Sequence, residues 1–173
     1  MILRAAEPRD AGEISKIWNV YIRDTSVTFT TTWKTPDTIS TVLKDKAQAK
    51  LPFFVAEDEG KVLGFVTYGP FRTGPGYVHT MEHSIMLSDA AKGRGTGRAL
   101  MQAIEEEACR KNVHTLVAGI SAENPNAIAF HQAIGFKKVG HVAQAGRKFG
   151  RWMDLILLQK MLDCRTDKPD QSL

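Results

Sequence analysis

Three glycines on alternate positions, Gly93, Gly95 and Gly97, stand between a strand-like apolar run ending at Leu87 and a helical pattern. In that pattern Leu100, Met101, Ile104 and Ala108 recur at three- and four-residue spacing. Glycine lets a backbone approach a ligand without Cβ interference. The first turn of a helix leaves its N–H groups unpaired at the positive end of the macrodipole. The two together make a phosphate site built from main chain, and Lys92, Arg94 and Arg98 surround it with positive charge. The frame is not a P-loop, because no Lys-Ser/Thr pair closes it, and not G-x-G-x-x-G, because Leu100 stands where the third glycine would fall. A plain structural turn is the competing reading, and context must decide.

The remaining composition narrows the chemistry. The chain has 173 residues, 43% hydrophobic and 24% charged, which suits one domain with a proper core. Its net charge of +4 fits an anionic ligand, but the basic residues are scattered apart from clusters at 92–98 and 147–151. Without a long basic run interleaved with aromatics, no nucleic-acid partner is expected. The two cysteines, Cys109 and Cys164, offer no disulfide framework and no metal spacing, and the five histidines are dispersed along the chain. No metal is expected. No apolar run approaches the ~20 residues of a membrane span, and charge arrives too early at the N-terminus for a signal segment. No membrane contact and a cytoplasmic location are therefore expected.

The elements that must position such a site follow in order. Residues 2–6 read as a first strand. Asp10 with Glu13 resembles a capping box before a helix whose apolar stripe is Ile14, Ile17, Trp18, Tyr21 and Ile22. Residues 26–33 are β-branched and aromatic, extended or looped. Thr35-Pro36 opens a second helix running to about Lys50, expected to lie outside the core because it carries only Ile39, Val42 and Leu43. Residues 53–57 and 62–68 form a hairpin through Asp58-Glu59-Gly60-Lys61. A loop from Gly69 to Gly76 precedes a long strand, Tyr77 to Leu87, with the polar run His79-Thr80-Met81-Glu82-His83-Ser84 inside it. After the glycine turn and its helix, 114–120 reads as a strand buried on both faces. Asn124-Pro125 caps a short helix that Gly135 ends. Strands at 136–142 and 151–161, joined by a polar and basic connection at 143–150, complete a mixed α/β domain over residues 1–162, with a polar tail at 163–173.

Two of these segments carry a resemblance. The turn Lys92-Gly93-Arg94-Gly95-Thr96-Gly97 after a strand resembles the R/Q-x-x-G-x-G/A acyl-CoA pyrophosphate turn of the GNAT acetyltransferase superfamily. Asn124-x-x-Ala127-x-x-x-His131-x-x-x-Gly135-Phe136 is similar to its second signature, N-x-x-A-x-x-x-Y-x-x-x-G-F. Within the superfamily, Thr80-Met81-Glu82-His83-Ser84 and residues 146–155 resemble the phosphinothricin and methionine sulfone or sulfoximine acetyltransferases. The resemblance spans about Leu3 to Leu162. It implies the GNAT fold, a mixed and mostly antiparallel sheet of six to seven strands with about four helices. It also implies acetyl-CoA as co-substrate, a small-molecule amine substrate and a homodimer. Lys92 departs from the usual Arg or Gln, at little cost if main-chain N–H groups do the binding. His131 replaces the superfamily's frequent tyrosine, as is common in the phosphinothricin group.

On that resemblance each residue receives a role. Glu82 is the candidate general base, directly or through a water, its pKa raised by burial in mid-strand; a solvent-facing Glu or one paired with Arg72 is the bland alternative. The strand Ile85-Met86-Leu87 is implied to pair with pantetheine, one N–H polarising the thioester carbonyl. Asn124 is a helix cap and, by resemblance, a pantetheine contact. His131 is either the acid that protonates the leaving thiolate or a bland helix histidine. Arg72 is the candidate for holding a substrate carboxylate bidentately, with Tyr77 and Thr80 beside Glu82, and Phe29 and Trp33 either walls or core. The reading is an N-acetyltransferase of a small amino-acid-like amine. A member acting on a polyamine, an aminoglycoside or a protein N-terminus, and a non-catalytic acyl-CoA-binding module, are the competing readings; the presence of Glu82 favours the enzyme.

Overall fold

The computed structural model describes residues 1–164; most of the tail expected at 163–173 lies outside them. The elements are β1 (Ile2–Ala5), α1 (Ala11–Asp24), α2 (Pro36–Gln48), β2 (Phe53–Asp58), β3 (Lys61–Pro70), β4 (Thr80–Leu87), α3 (Thr96–Arg110), β5 (Thr115–Ser121), α4 (Pro125–Ala133), β6 (Lys137–Lys148) and β7 (Arg151–Met161). The seven strands form one sheet in the order β1-β2-β3-β4-β5-β7-β6. Every neighbouring pair is antiparallel except β4 and β5. The mixed α/β architecture matches the sequence expectation.

Helices cover both faces because the strands alternate apolar side chains to both. Ile14 and Ile17 of α1 and Ile39 and Leu43 of α2 pack on Phe53, Val55, Phe65 and Met86. Leu100, Met101, Ile104 and Ala108 of α3 pack on Val66, Tyr68, Leu116 and Leu158 on the other. Helix α2 therefore belongs to the core, against the expectation that it lies outside. Ile39 is fully buried, and burying a side chain of that size contributes about 1.5–3 kcal/mol. Two well-placed apolar residues suffice when a neighbouring helix supplies the rest of the interface.

Other boundaries moved for local reasons. Asp10 does not cap α1 through Glu13. Its carboxylate instead accepts two bonds from Arg4, at 2.7 and 2.8 Å, and one from the Glu7 N–H. Tyr77 falls in a 3-10 turn (Pro75–Tyr77), so β4 begins only at Thr80. The connection expected at 143–150 is mostly strand. Strand β6 continues through two irregularities to Lys148, and only Phe149 and Gly150, both with positive φ, turn the chain into β7.

The cysteines, read as unpaired, are joined. Beyond β7 the chain folds back beside the loop after α3, with the Leu162 N–H donating to the His114 carbonyl at 2.8 Å. This brings Cys164 to Cys109 as a disulfide with Cα atoms 5.2 Å apart. The pair stands 55 positions apart in sequence, so only the fold could reveal the match.

Candidate active site

The site begins where the sheet opens. Strands β4 and β5 pair in parallel through three residues only, Thr80, Met81 and Glu82 opposite Thr115, Leu116 and Val117. Beyond that point β4 stays bonded to β3 as far as Leu87, and β5 to β7 as far as Ser121. The facing edges part and leave a cleft lined by His83, Ser84, Ile85, Met86, Gly119, Ile120, Asn124 and His131, with Val27 and Thr28 of the α1–α2 loop at its side. Backbone groups on these parted edges have no strand to pair with, and a polar, extended ligand would satisfy them.

At the exit of β4 the chain makes a 3-10 turn (Asp89–Ala91) and enters the glycine segment. Gly93 and Gly95 have φ of +71° and +72°, a left-handed backbone that costs other residues roughly 1–2 kcal/mol. Gly95 is the N-cap of α3 and no side chain caps that end. The first-turn N–H groups of Thr96, Gly97 and Arg98 take no backbone carbonyl among the described residues, which is the condition for an anion site. Gly97 is buried against Leu87 and Phe130, so a Cβ there would sit 3.3–3.5 Å from both side chains. The cations are less free than their number suggests: Arg94 pairs with Asp58, and Lys92 with Asp89 at 2.9 Å.

Glu82 stands at the fork where the strands part. Its side chain is exposed on the sheet face that carries α1 and α2, yet enough protein surrounds the carboxyl to push its pKa up. No ion pair holds it among the described residues; Arg72, a possible partner, lies instead over the Phe71 ring at 5.4 Å. The carboxylate rests on β5: a Cβ at Gly119 would come within 2.8 Å of Glu82 Oε1. Gly119 is therefore a space for the carboxylate, and the sequence reading missed it because a glycine in an apolar strand carries no distinguishing signal.

The other expected residues divide into two groups. Ile85, Met86, Asn124 and His131 line the cleft. Asn124 caps α4, accepting from the Ala127 N–H at 3.1 Å, a bond worth ~1 kcal/mol at such a position. The Leu87 carbonyl, by contrast, is occupied by the Tyr21 hydroxyl at 2.6 Å. Arg72 and Tyr77 are exposed outside the cleft, and Thr80 opens β4 two residues from Glu82 on the same face. Phe29 packs across Gly146, where a Cβ would collide with its ring, and Trp33 is exposed.

Two features escaped the sequence. Buried Lys148 donates to the carbonyls of Tyr21, Thr25 and Thr28 at 3.2, 2.7 and 2.8 Å, fastening the α1–α2 loop to the β6–β7 hairpin beside the cleft. Arg151 of the same basic segment pairs with Glu123 just ahead of α4. The second feature is His83, whose Nε2 meets Nε2 of His131 at 2.9 Å while His131 Nδ1 meets the Ala127 carbonyl at 2.7 Å. Both nitrogens of His131 are thus engaged, and neither is free to face a leaving group. The polar run in β4 displayed His83, but nothing in one dimension set it opposite His131.

Comparison with known proteins agrees with this geometry. Residues 3–157 match the model of the acetyltransferase (GNAT) domain family. The chain is 34% identical over 170 residues to the L-amino acid N-acyltransferase MnaT of Escherichia coli, covering 98% of each chain. It is 34% identical over 165 residues to the L-methionine sulfoximine/L-methionine sulfone acetyltransferase of Salmonella typhimurium, covering 94% of this chain and 95% of that one. The structure of yncA, a putative acetyltransferase from Salmonella typhimurium with its cofactor acetyl-CoA, superposes with a TM-score of 0.90 at 32% identity over 99% of both chains. The chain belongs to the GNAT acetyltransferases, and its class is acetyl-CoA-dependent N-acetyltransferase.

Proposed function

We propose that this protein acetylates the α-amino group of a small amino-acid-like substrate of the phosphinothricin, methionine sulfoximine or methionine sulfone type, with Glu82 as general base. The observation that carries the reading is the fork of the sheet. The carboxylate sits where β4 and β5 part, against Gly119 of the cleft wall, and β4 runs on past the cleft into the glycine turn and the N-terminus of α3. The donor-set chemistry suits acetyl-CoA. Unpaired first-turn N–H groups fit its pyrophosphate, and parted strand edges fit the amides of its pantetheine arm. When bound, acetyl-CoA supplies the activated thioester.

The chain's own residues supply the rest. Glu82, its pKa raised, takes one proton from the substrate ammonium, directly or through a water. The freed lone pair attacks the thioester carbonyl, whose oxygen finds an N–H donor on the unpaired edge of β4 near Ile85. The C–S bond breaks and the amine's second proton balances the departing thiolate. Arg72 supports recognition of the substrate carboxylate. The β3–β4 register and the Phe71 N–H to Thr80 carbonyl bond put Arg72 just beyond Thr80, at the same end of β4 as Glu82. Exposed Val139, Val142, Phe149 and Trp152 on the β6–β7 edge support the pairing of two copies, which sedimentation checks.

The test is thiol release from acetyl-CoA with a panel of phosphinothricin, methionine sulfoximine, methionine sulfone, ordinary amino acids, polyamines and an aminoglycoside. Turnover confined to the first three supports the assignment. Turnover on the polyamines or the aminoglycoside alone overturns the substrate class while leaving the reaction intact.

A further inference from the structure

His83 and His131 meet in an enclosed space. Their ring centroids are 5.1 Å apart, Phe136 stands 5.3 Å from His83 and 5.2 Å from His131, and Phe130 meets His131 edge-on at 5.2 Å. The two residues are only 6% and 4% exposed. Burial lowers the pKa of both, that of His83 to about 3. Each ring is then neutral and carries one N–H.

Backbone carbonyls lie beside both rings, that of Val117 near His83 and that of Ala127 against His131, and the second alone completes a hydrogen bond, so it sets the direction of the chain. The Ala127 carbonyl can only accept, so the proton of His131 is on Nδ1. Its Nε2 then offers a lone pair, and the 2.9 Å contact requires His83 to donate from its own Nε2. The chain runs from His83 Nε2–H to His131 Nε2, and from His131 Nδ1–H to the Ala127 carbonyl. It leaves His83 Nδ1 buried without a hydrogen-bond partner, a cost of roughly 1–3 kcal/mol. A buried polar atom left in that state needs a reason.

We propose that His83 is a positioning residue that locks His131 as a hydrogen-bond acceptor, making the pair a neutral strut that ties α4 to β4 across the inner wall of the acetyl-CoA cleft. The strut sets the place of α4, and so of Asn124, relative to the β4 edge. It also removes from His131 the N–H it would need to protonate a thiolate. The inference rests on the acetyl-CoA reading of the cleft.

The first test needs no ligand. In protein carrying 15N-labelled histidine, at pH 7, His83 should show the Nε2–H tautomer and His131 the Nδ1–H tautomer. The reverse assignment, or a charged ring at either residue, overturns the proposal. The second test is a cycle of His83→Leu, His131→Leu and the double variant, read as the Kd of acetyl-CoA by calorimetry and as steady-state kinetics. Each single variant should weaken binding by about tenfold, the scale of one neutral hydrogen bond. The double variant should be no worse than either single one. His83→Gln, which can donate from a similar position, should recover most of the loss, and KM for acetyl-CoA should change more than kcat. A fall in kcat with His131→Leu that His83→Leu does not share, restored by an acetyl thioester of a more acidic thiol, would make His131 the acid and overturn the strut. Failure of the unaltered protein to bind acetyl-CoA, with the tautomers as expected, would instead count against the reading of the cleft.

Discussion

The two ends of β4 lead into regions built on different principles. The outer end, from Lys92 to Arg98, is main chain: positive-φ glycines, an uncapped helix start and unpaired N–H groups, all contiguous in sequence. The inner end is side chain. Glu82 leans on Gly119, and His83 meets His131, each pair drawn from elements dozens of residues apart. Main-chain recognition tolerates changes of side chain and resists changes of backbone. Side-chain chemistry does the opposite.

The sharpest test of this contrast is Glu82→Gln, which keeps shape and removes the proposed base. We expect a fall in kcat of roughly 10²–10⁴-fold, acetyl-CoA binding little changed, and loss of the acid limb of the rate profile that titration of Glu82 above its usual pKa would create. A change confined to the amine's KM would make Glu82 a binding residue and remove the base from the inner end.

Gly119→Ala should come next. A methyl group placed 2.8 Å from Glu82 Oε1 must displace the carboxylate, and a misplacement near 1 Å costs on the order of 10²-fold. Unchanged kcat in a folded variant would show that Glu82 has room to spare.

At the outer end the order of sensitivity should reverse. Gly95→Ala, at φ +72°, should raise the acetyl-CoA KM by about tenfold, since a left-handed alanine costs ~1–2 kcal/mol. Lys92→Ala, which removes only an exposed ion pair with Asp89, should change it by no more than about twofold. Equal effects of the two would erase the distinction between main chain and side chain.

The smallest expected effect is on stability. In the folded chain His83 is depressed to about 3 and His131 lowered, whereas in the unfolded chain both take up protons near pH 6.5. The unfolded state therefore binds more protons below that value, and stability falls as pH drops from about 6.5 toward about 3. Urea midpoints at pH 7.5 and pH 5 should show a smaller drop for His83→Leu than for the unaltered chain. An equal drop would mean that His83 takes up its proton equally in the folded and unfolded chains over this range, so that folding does not depress it.

Much of the fold was legible because its signals are local. Apolar runs on either side of the Asp58-Glu59-Gly60-Lys61 turn marked β2 and β3, Thr35-Pro36 marked the start of α2, and Asn124 marked that of α4, where the expected cap bond formed. The segment from Ala143 to Gly150 was not legible. Its polar residues lie on an edge strand with one exposed side, so the composition of a strand there is that of a loop. Lys148 was hidden in the same way: a lysine in a basic run reads as surface until three carbonyls from α1 and the loop after it close around its amine.

By itself the sequence determined the glycine turn, the strand that leads into it and the presence of Glu82, because a strand, a glycine turn and a helix start are written in consecutive residues. Only the tertiary structure decided that β4 and β5 part after three pairs, that Gly119 makes room for the carboxylate, that His83 faces His131 and that Cys109 meets Cys164. The physical reason is common to all four. Each depends on the distance between segments whose separation is set by packing of the whole sheet against its helices, and no local pattern records that distance.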